Sequence, residues 1–185
     1  MIYFTSDLHF GHDREFIWGP RGFQSSFEHD ETIIKNWNNL ITEEDEVYIL
    51  GDLILGDNAA GRKKLAQLRG KLHIIWGNHD TEPRKQIYST LHNVVQVHGY
   101  ADILKYKGYT FYMSHFPTMT ANLEAESLKR GTLNLFGHTH QQTNFYQDIP
   151  MMYHVGVDSH NNTPVSIEQI IQDMNNKASE CIQYL

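Results

Sequence analysis

The sequence predicts an α/β fold in which two mixed β-sheets pack face to face and are flanked by helices, a four-layer αββα sandwich. Residues 2–76 alternate strand-like and helix-like segments, which is the pattern of parallel βαβ units. The second half instead contains a hairpin pattern, two further short strands and a late helix. A single mixed sheet with helices on both faces is the alternative, and the separate hairpin region favours two sheets.

Three strands and two helices are predicted in the first half. Short apolar and β-branched runs predict the strands. In the first helix, apolar residues from Ile33 to Ile41 recur at helical spacing. Gly70 follows the second helix and is expected at its C-terminal cap. In chain order these elements are the strand Ile2–Ser6, the helix His29–Ile41, the strand Val47–Leu50, the helix Ala59–Leu68 and the strand Leu72–Trp76.

The second half is predicted to open with a β-hairpin, because the turn pair Lys107-Gly108 lies between two strand-like runs. Two more apolar runs predict strands, and a helical pattern opens after Pro164. Ala178–Leu185 fits a last strand, a helix end or an interface, and these remain open. The predicted elements are the hairpin strands Ile103–Tyr106 and Tyr109–Met113, the strands Thr132–Phe136 and Met151–Val155, and the helix Ser166–Met174.

Length and composition predict one domain over residues 1–185, with 40% hydrophobic and 20% charged residues. The net charge of −7 argues against long duplex nucleic acid, because such grooves carry clustered Lys and Arg. The densest basic cluster, Arg62-Lys63-Lys64, fits a solvated helix face. Cys181 is the single cysteine, and the sequence contains neither a signal-peptide pattern nor a membrane-length apolar run. We expect a cytoplasmic protein without a membrane partner, and its oligomeric state is open.

Five short polar blocks supply candidate metal ligands. Each follows a predicted strand, and ligands of open α/β sheets bind beyond the carboxyl ends of the strands. The blocks offer carboxylates, a carboxamide and imidazoles, the donor set that holds a pair of first-row divalent metals. They are Asp7-Leu8-His9, Gly51-Asp52, Gly77-Asn78-His79-Asp80, Ser114-His115 and Gly137-His138-Thr139-His140.

The local pattern within the blocks fits a crowded site. Glycine directly precedes the ligand in three of them, which allows a tight turn and close backbone approach. Asp7 and His9 are two residues apart, as are His138 and His140. In extended backbone, side chains two residues apart point the same way, so each pair is expected to face one metal region.

The five blocks, in this order, resemble the motifs of the calcineurin-like metallophosphoesterase family over roughly residues 1–160. The resemblance implies two packed β-sheets flanked by helices, and a pair of divalent metals. His79 matches the family's catalytic histidine, which contacts phosphoryl oxygens or protonates the leaving group. The implied ligands are Asp7, His9 and His140 for one metal, Asn78, His115 and His138 for the other, and Asp52 as the bridge.

One stretch departs from the phosphoprotein phosphatase branch of this family. Leu55 stands where that branch has an acidic residue, and the arginine that would follow is missing. A protein serine/threonine phosphatase is therefore disfavoured. The carboxylate that orients His79 is left open between Asp80 and Asp57.

These residues predict a metal-dependent phosphohydrolase acting on phosphodiesters or small phosphomonoesters, with His79 and Asp52 as catalytic residues. Two divalent cations carry more charge than the carboxylates of Asp7 and Asp52 neutralise, so the site would be positive. A positive site attracts a phosphate group and stabilises the negative charge that develops during the reaction. A hydroxide activated by both metals would attack phosphorus in line. Because no cysteine ligand is present, the metals are expected to be Mn, Fe, Zn or Ni. The expected partner is a small phosphorylated substrate, nucleotides included.

Three residues are expected at the substrate. Asn78 would lie beside it as a metal ligand, and His12 lies on the same loop as Asp7 and His9. Arg21, in the following loop, would clamp a phosphate. The alternatives are that His12 is a loop histidine without a chemical role and that Arg21 is a surface arginine. Asp158 is expected either to contact a metal-bound histidine or to serve a turn.

Two other functions remain open. One is a nuclease or a cyclic or oligonucleotide phosphodiesterase that uses the same chemistry. The other is a noncatalytic metal-binding scaffold on the same fold. The scaffold is disfavoured because the chain retains every ligand position of the motifs together with His79.

Overall fold

The structure, a computed structural model, describes residues 1–120 and 127–182. The described residues form two sheets with helices around them. The strands are β1 (Ile2–Thr5), β2 (Glu46–Leu50), β3 (Lys71–Ile75), β4 (Val94–Gly99), β5 (Ala101–Tyr106), β6 (Tyr109–Ser114), β7 (Thr132–Phe136), β8 (Met152–His154) and β9 (Val165–Ser166). The helices are α1 (Glu15–Trp18), α2 (Ser26–Leu40), α3 (Asn58–Leu65), α4 (Glu82–Tyr88) and α5 (Ile167–Ile182), with short 3₁₀ turns at Tyr146–Asp148 and Val157–Ser159.

Both sheets are mixed. The first has the order β4-β3-β2-β1-β9, in which β1 to β4 run parallel and β9 pairs antiparallel with β1. The second has the order β5-β6-β7-β8, in which the β5–β6 hairpin is antiparallel and the other pairs are parallel. The predicted pair of mixed sheets with flanking helices is confirmed, and the single-sheet alternative is wrong.

Two apolar clusters form the core, because alternate residues of the first sheet face opposite sides. Ile49 packs in the cluster that contains Trp37 of α2. Its neighbour Leu50 belongs to the other cluster, with Phe111 of the second sheet and Met174 of α5. The first sheet is therefore buried on both faces, as expected for parallel strands.

Several predicted element boundaries are wrong. Helix α3 ends at Leu65 with Ala66 at its C-cap, so Gly70 does not cap it. Gly70 has a φ of +95° in the turn before β3, where an added Cβ would lie 2.9 Å from the Ile41 side chain. The late helix begins one residue later than predicted and extends to Ile182. The segment Ala178–Leu185, for which the sequence left three alternatives, therefore begins as the end of this helix, and residues 183–185 lie outside the described residues.

Three elements of the first half were not predicted. Helix α1 is only one turn long. Helix α4 has Thr81 as its N-cap and Pro83 in its first turn, and this pair is a recognisable helix-start signal. Strand β4 lies at the sheet edge and lacks alternating burial, which explains why its pattern is weak.

The fold brings the ends of β1, β2, β3, β6 and β7 to one rim. The backbone N–H of Asp7 donates to Gly51 O at 3.0 Å, which joins the first two blocks. The N–H of Gly137 donates to His115 O at 2.9 Å, which joins the last two. Over the described ranges, no helix is long and apolar enough to cross a membrane.

Candidate metal centre

The first group of converging donors contains Asp7, His9 and His140, whose ligand atoms lie within 4.8 Å of one another. His9 Nε2 lies 3.2 Å from His140 Nε2. Asp7 Oδ1 lies 3.7 Å from His9 Nε2 and 3.8 Å from His140 Nε2. This is the trio that the motifs imply for one metal.

A second group surrounds Asp52. Its Oδ2 atom lies 3.4 Å from His115 Nε2 and 3.9 Å from His9 Nε2, so one oxygen faces both groups. Asp7, Asp52 and His115 also have ligand atoms within 4.8 Å of one another. Asn78 Oδ1 lies 2.9 Å from His115 Nε2. One oxygen of Asp52 thus lies between the two groups, and its role as a bridging ligand stays a prediction.

The chemistry of these donors fits divalent metal ions. Asp7 is fully buried, and its Oδ1 has no hydrogen-bond partner although it faces two imidazole nitrogens. A buried carboxylate oxygen without a partner is costly unless a cation occupies its vicinity. Nitrogen and oxygen donors without a thiolate suit Mn, Fe, Zn or Ni, as the sequence predicts.

Hydrogen bonds to the far ring nitrogens fix two histidines. His115 Nδ1 donates to Leu50 O at 2.8 Å, and His140 Nδ1 donates to Asp158 Oδ2 at 3.1 Å. In the neutral rings the lone pair is then on Nε2, the atom that faces the carboxylates. This arrangement orients a metal ligand and raises its basicity.

The site is electrostatically coupled. Burial opposes the charged form of Asp7 and Asp52, but the neighbouring histidines hold the pKa of both carboxyl groups below its usual range. Burial also disfavours a charged His115, yet its hydrogen bond to Asp52 and the charge of Asp7 raise its pKa to about 9. The two carboxylates therefore attract positive charge to the centre of the site.

Arg21 does not extend to the open side of the site, and the expectation that it clamps a substrate phosphate is wrong. Its Nε and Nη2 each donate to Asp158 at 2.9 Å, and Nη2 also donates to Asp7 O at 2.9 Å. Its Nη1 donates to His29 Nε2 at 2.8 Å. The side chain is fully buried. Arg21 is thus neither a surface residue nor a substrate contact, and it holds Asp158 against His140.

Neither carboxylate proposed to orient His79 contacts its ring. Asp80 accepts hydrogen bonds from Gly77 N–H at 2.7 Å and from the Tyr88 hydroxyl at 2.6 Å. Asp57 accepts from Ala60 N–H and caps α3. The loop is held instead through the backbone of His79, whose N–H donates to Asp52 Oδ1 at 2.9 Å. The exposed His79 ring lies beside His9, with the ring centroids 5.8 Å apart.

His12 lies next to the first group of donors. The backbone N–H of Arg14 donates to His12 Nδ1 at 3.0 Å, so the ring proton of neutral His12 is on Nε2. Burial, followed by the charge of His9, lowers the pKa of His12, which favours this neutral form. The His12 and His9 ring centroids lie 6.0 Å apart. His12 thus offers a neutral hydrogen-bond donor at the edge of the centre.

The ligand loops adopt an unusual backbone. Asp7, His9, Asp52, His138 and His140 have φ values between +48° and +67°, in the left-handed region. The assumption of extended backbone at the Asp-x-His and His-x-His pairs is therefore wrong. The ligands converge because each loop turns sharply at its strand end.

The glycines that precede ligands allow close approach. A Cβ added at Gly51 would lie 2.5 Å from Gly77 N. A Cβ at Gly77 would overlap Asp52 Oδ1, and one at Gly137 would overlap Ser6 Oγ. The role predicted for these three glycines is confirmed.

The sequence profile of the calcineurin-like phosphoesterase superfamily domain matches residues 1–175. The chain belongs to this superfamily. The resemblance drawn from the five motifs is thus confirmed.

Known relatives of this phosphoesterase-superfamily chain extend over its length. An uncharacterized protein of Methanocaldococcus jannaschii is 32% identical, with 92% of this chain and 89% of the relative covered. The Gene 66 protein of Mycobacterium phage D29 is 28% identical, with 94% and 96% covered. A crystal structure of a protein of unknown function from Aquifex aeolicus superposes with a TM-score of 0.68 at 21% identity, covering 93% of this chain and 98% of that one. This last similarity supports the fold.

Two ligands expected in a calcineurin-like phosphoesterase lie at the exposed side. Asn78 and His138 are both exposed, and the His138 ring lies 5.1 Å from that of His115. His138 belongs to neither compact donor group among the described residues. Its assignment as a ligand stays a prediction.

Sequence reasoning missed three residues that support the phosphoesterase loops. Arg84 on α4 donates to His79 O at 2.6 Å, and the Ser6 hydroxyl donates to Asp7 Oδ2 at 2.5 Å. His29 joins Arg21 to Asp30 through both ring nitrogens. The sequence gives no spacing signal for Arg84 or His29, whereas Ser6 directly precedes the first ligand.

Proposed function

We propose that this protein is a metal-dependent phosphoesterase that hydrolyses phosphodiesters or small phosphomonoesters. The observation that carries the proposal is the position of Asp52 Oδ2 between His115 Nε2 and His9 Nε2, at 3.4 and 3.9 Å. Membership of the calcineurin-like phosphoesterase superfamily supports the same chemistry.

The donor groups would hold two divalent metals, one at Asp7, His9 and His140 and the other at His115, with Asp52 shared. His138 and Asn78 would complete the second set. When bound, the metals supply positive charge for the phosphoryl group and activate the attacking water. The identity and number of the metals belong to this proposal.

The chain's own residues orient the loops and transfer protons. Asp52 Oδ1 accepts the backbone N–H of His79, so the bridging carboxylate also fixes the loop that carries the exposed imidazole. His79 would donate a proton to the leaving-group oxygen, the general-acid role that histidine commonly serves. His12, neutral with its proton on Nε2, would donate a hydrogen bond to a phosphoryl oxygen.

The exposed side of the centre suits a small phosphorylated substrate. Asn78, His79 and His138 are exposed there. Phe116, 47% exposed, lies edge-on to His138 with ring centroids 4.6 Å apart. A flat apolar ring beside the site favours substrates with an aromatic group, so a nucleotide phosphodiesterase is the second candidate function. The expected cytoplasmic location stays a prediction.

The test is hydrolysis of bis-p-nitrophenyl phosphate and p-nitrophenyl phosphate by chelator-treated protein with and without added Mn²⁺. Activity should appear only with metal, and Asp52→Asn should lower it by at least about a hundredfold, because the bridging charge is lost. Asp148→Asn is the matched control, since Asp148 is exposed and forms a surface ion pair with Lys177, away from the donor groups. Hydrolysis by Asp52→Asn at the wild-type rate would overturn the proposal. Metal binding without hydrolysis of any ester would support the scaffold instead.

A further inference from the structure

A second set of histidines lies apart from the metal centre, and we call it the outer histidine cluster: Glu46, His73, His98 and Asp102. These residues come from β2, β3, β4 and β5, so the cluster connects both sheets. His73 Nδ1 lies 3.1 Å from His98 Nε2. Each ring's other nitrogen faces a carboxylate, with His73 Nε2 in contact with Glu46 Oε2 and His98 Nδ1 at 2.5 Å from Asp102 Oδ2.

The proton count of this cluster leaves two facing lone pairs. A neutral imidazole has one N–H, and a carboxylate can only accept. His73 therefore donates from Nε2 to Glu46, and His98 donates from Nδ1 to Asp102. The two inner nitrogens are then both acceptors at 3.1 Å, so a cation between them, a metal ion or a third proton, satisfies both lone pairs.

The two rings of the pair are largely buried. The His73 and His98 side chains are only 12% and 6% exposed. A cation between two poorly solvated rings is stabilised by the paired Glu46 and Asp102 carboxylates.

The cluster shares one feature with the metal centre, a pair of facing imidazole nitrogens, although the metal centre adds the Asp7 carboxylate to its pair. His9 Nε2 and His140 Nε2 lie 3.2 Å apart, and the far nitrogen of His140 is held by the Asp158 carboxylate. In the outer histidine cluster the spacing is 3.1 Å and both far nitrogens are held by carboxylates. Tyr48 stacks on His73 at 4.4 Å between centroids, which fixes that ring plane. Carboxylates behind metal-binding histidines orient them and raise their basicity.

We propose that His73 Nδ1 and His98 Nε2 bind a divalent transition-metal ion of the Zn²⁺, Ni²⁺ or Cu²⁺ type. Glu46 and Asp102 hold the rings in position, and water completes the coordination. Imidazole donors without a thiolate suit these ions. The ion would link β3 to β4 directly and, through the carboxylates, would couple β2 of the first sheet to β5 of the second.

The test measures Zn²⁺ stoichiometry of the full chain by titration calorimetry, with Cu²⁺ electron paramagnetic resonance as a second readout. His73→Gln should bind one Zn²⁺ fewer than wild type. The electron paramagnetic resonance spectrum of Cu²⁺ at the outer histidine cluster should show one nitrogen ligand fewer. His92→Gln is the matched control, because His92 is an exposed histidine in a turn. The rate of phosphoester hydrolysis should be equal in all three proteins. Equal Zn²⁺ stoichiometry in folded His73→Gln and wild type would overturn the proposal.

A milder variant keeps the test valid if His73→Gln does not fold. Glu46 is 38% exposed, so the isosteric Glu46→Gln leaves packing intact. It should keep the number of bound ions and weaken Zn²⁺ binding at the outer histidine cluster by roughly tenfold. Unchanged Zn²⁺ affinity in Glu46→Gln would overturn the proposal. If the two rings only share a proton, both variants bind Zn²⁺ as wild type does. That outcome would also overturn the proposal.

Discussion

Arg21 and Asp158 form a two-point ion pair directly behind His140, with both N···O distances at 2.9 Å. The same carboxylate accepts from His140 Nδ1, and the guanidinium also donates to Asp7 O. Burial raises the pKa of the Asp158 carboxyl, but His140 and Arg21 lower it to about 2. One buried pair thus fixes the ring of one candidate ligand and the backbone of another.

Asp158→Asn should weaken metal binding by roughly tenfold to a hundredfold, because His140 loses its charged partner. Arg21→Lys should act in the same direction, since a lysine cannot reproduce the two-point contact. Metal titration measures both effects, and Asp148→Asn again serves as the control. Wild-type metal affinity in both variants would contradict the role assigned to this pair.

His79→Gln should keep the bound metals and slow hydrolysis of esters with poor leaving groups by about a hundredfold or more. Esters of p-nitrophenol should be affected less, because that leaving group needs little protonation. The measurement compares alkyl and aryl phosphodiesters in wild type and variant, with metal content determined in parallel. Loss of metal from the variant would identify His79 as a ligand instead.

Gly77→Ala should reduce metal affinity and lower the free energy of unfolding by about 1–3 kcal/mol, because the new Cβ overlaps Asp52. Gly22→Ala is the matched control. Gly22 has a φ of +89° and no atom within 4 Å of an added Cβ, so its substitution strains only the backbone. Chemical denaturation and metal titration separate the two effects. Equal metal affinity in both variants would contradict the steric role of Gly77.

His154 should make stability depend on pH. Burial lowers the pKa of this side chain from 6.5 to about 4. Between these values the unfolded chain binds a proton that the folded chain excludes, so the free energy of unfolding falls as pH drops, by up to about 3 kcal/mol. This contribution is fully present above the unfolded pKa.

Urea denaturation at about pH 7 and about pH 5 measures this dependence. His154→Gln should reduce the difference between the two midpoints, whereas the exposed His92→Gln should not. If His154→Gln keeps the full difference, other groups cause it.

The sequence predicted those parts of the fold and site that depend on local pattern. The strand before each ligand block and the glycine before three of the ligands can be recognised from residue type and position in the sequence, and the structure contains both. The rim position of the blocks followed from parallel strand order. The sequence indicates Asp158 as a candidate partner of a metal-bound histidine, and Asp158 does contact His140.

What the sequence could not predict depends on long-range packing. Arg21 pairs with a residue 137 positions away, so nothing near it in the chain indicates a buried role. The left-handed backbone at Asp7 and His9 occurs at residues that carry a Cβ, so no glycine indicates it in the sequence. Strand β4 is an edge strand held by β3, and its own composition gives little alternation.

The left-handed backbone at five candidate ligands limits how this site can be redesigned. Among residues with a Cβ, Asn, Asp and His tolerate that conformation best, and they also include oxygen and nitrogen donors. Randomised libraries at Asp7, His9, Asp52, His138 and His140 should therefore yield mostly Asn, Asp, His and Gly among folded clones. Exchanges among these four residue types are then the readiest way to change which metal the site prefers.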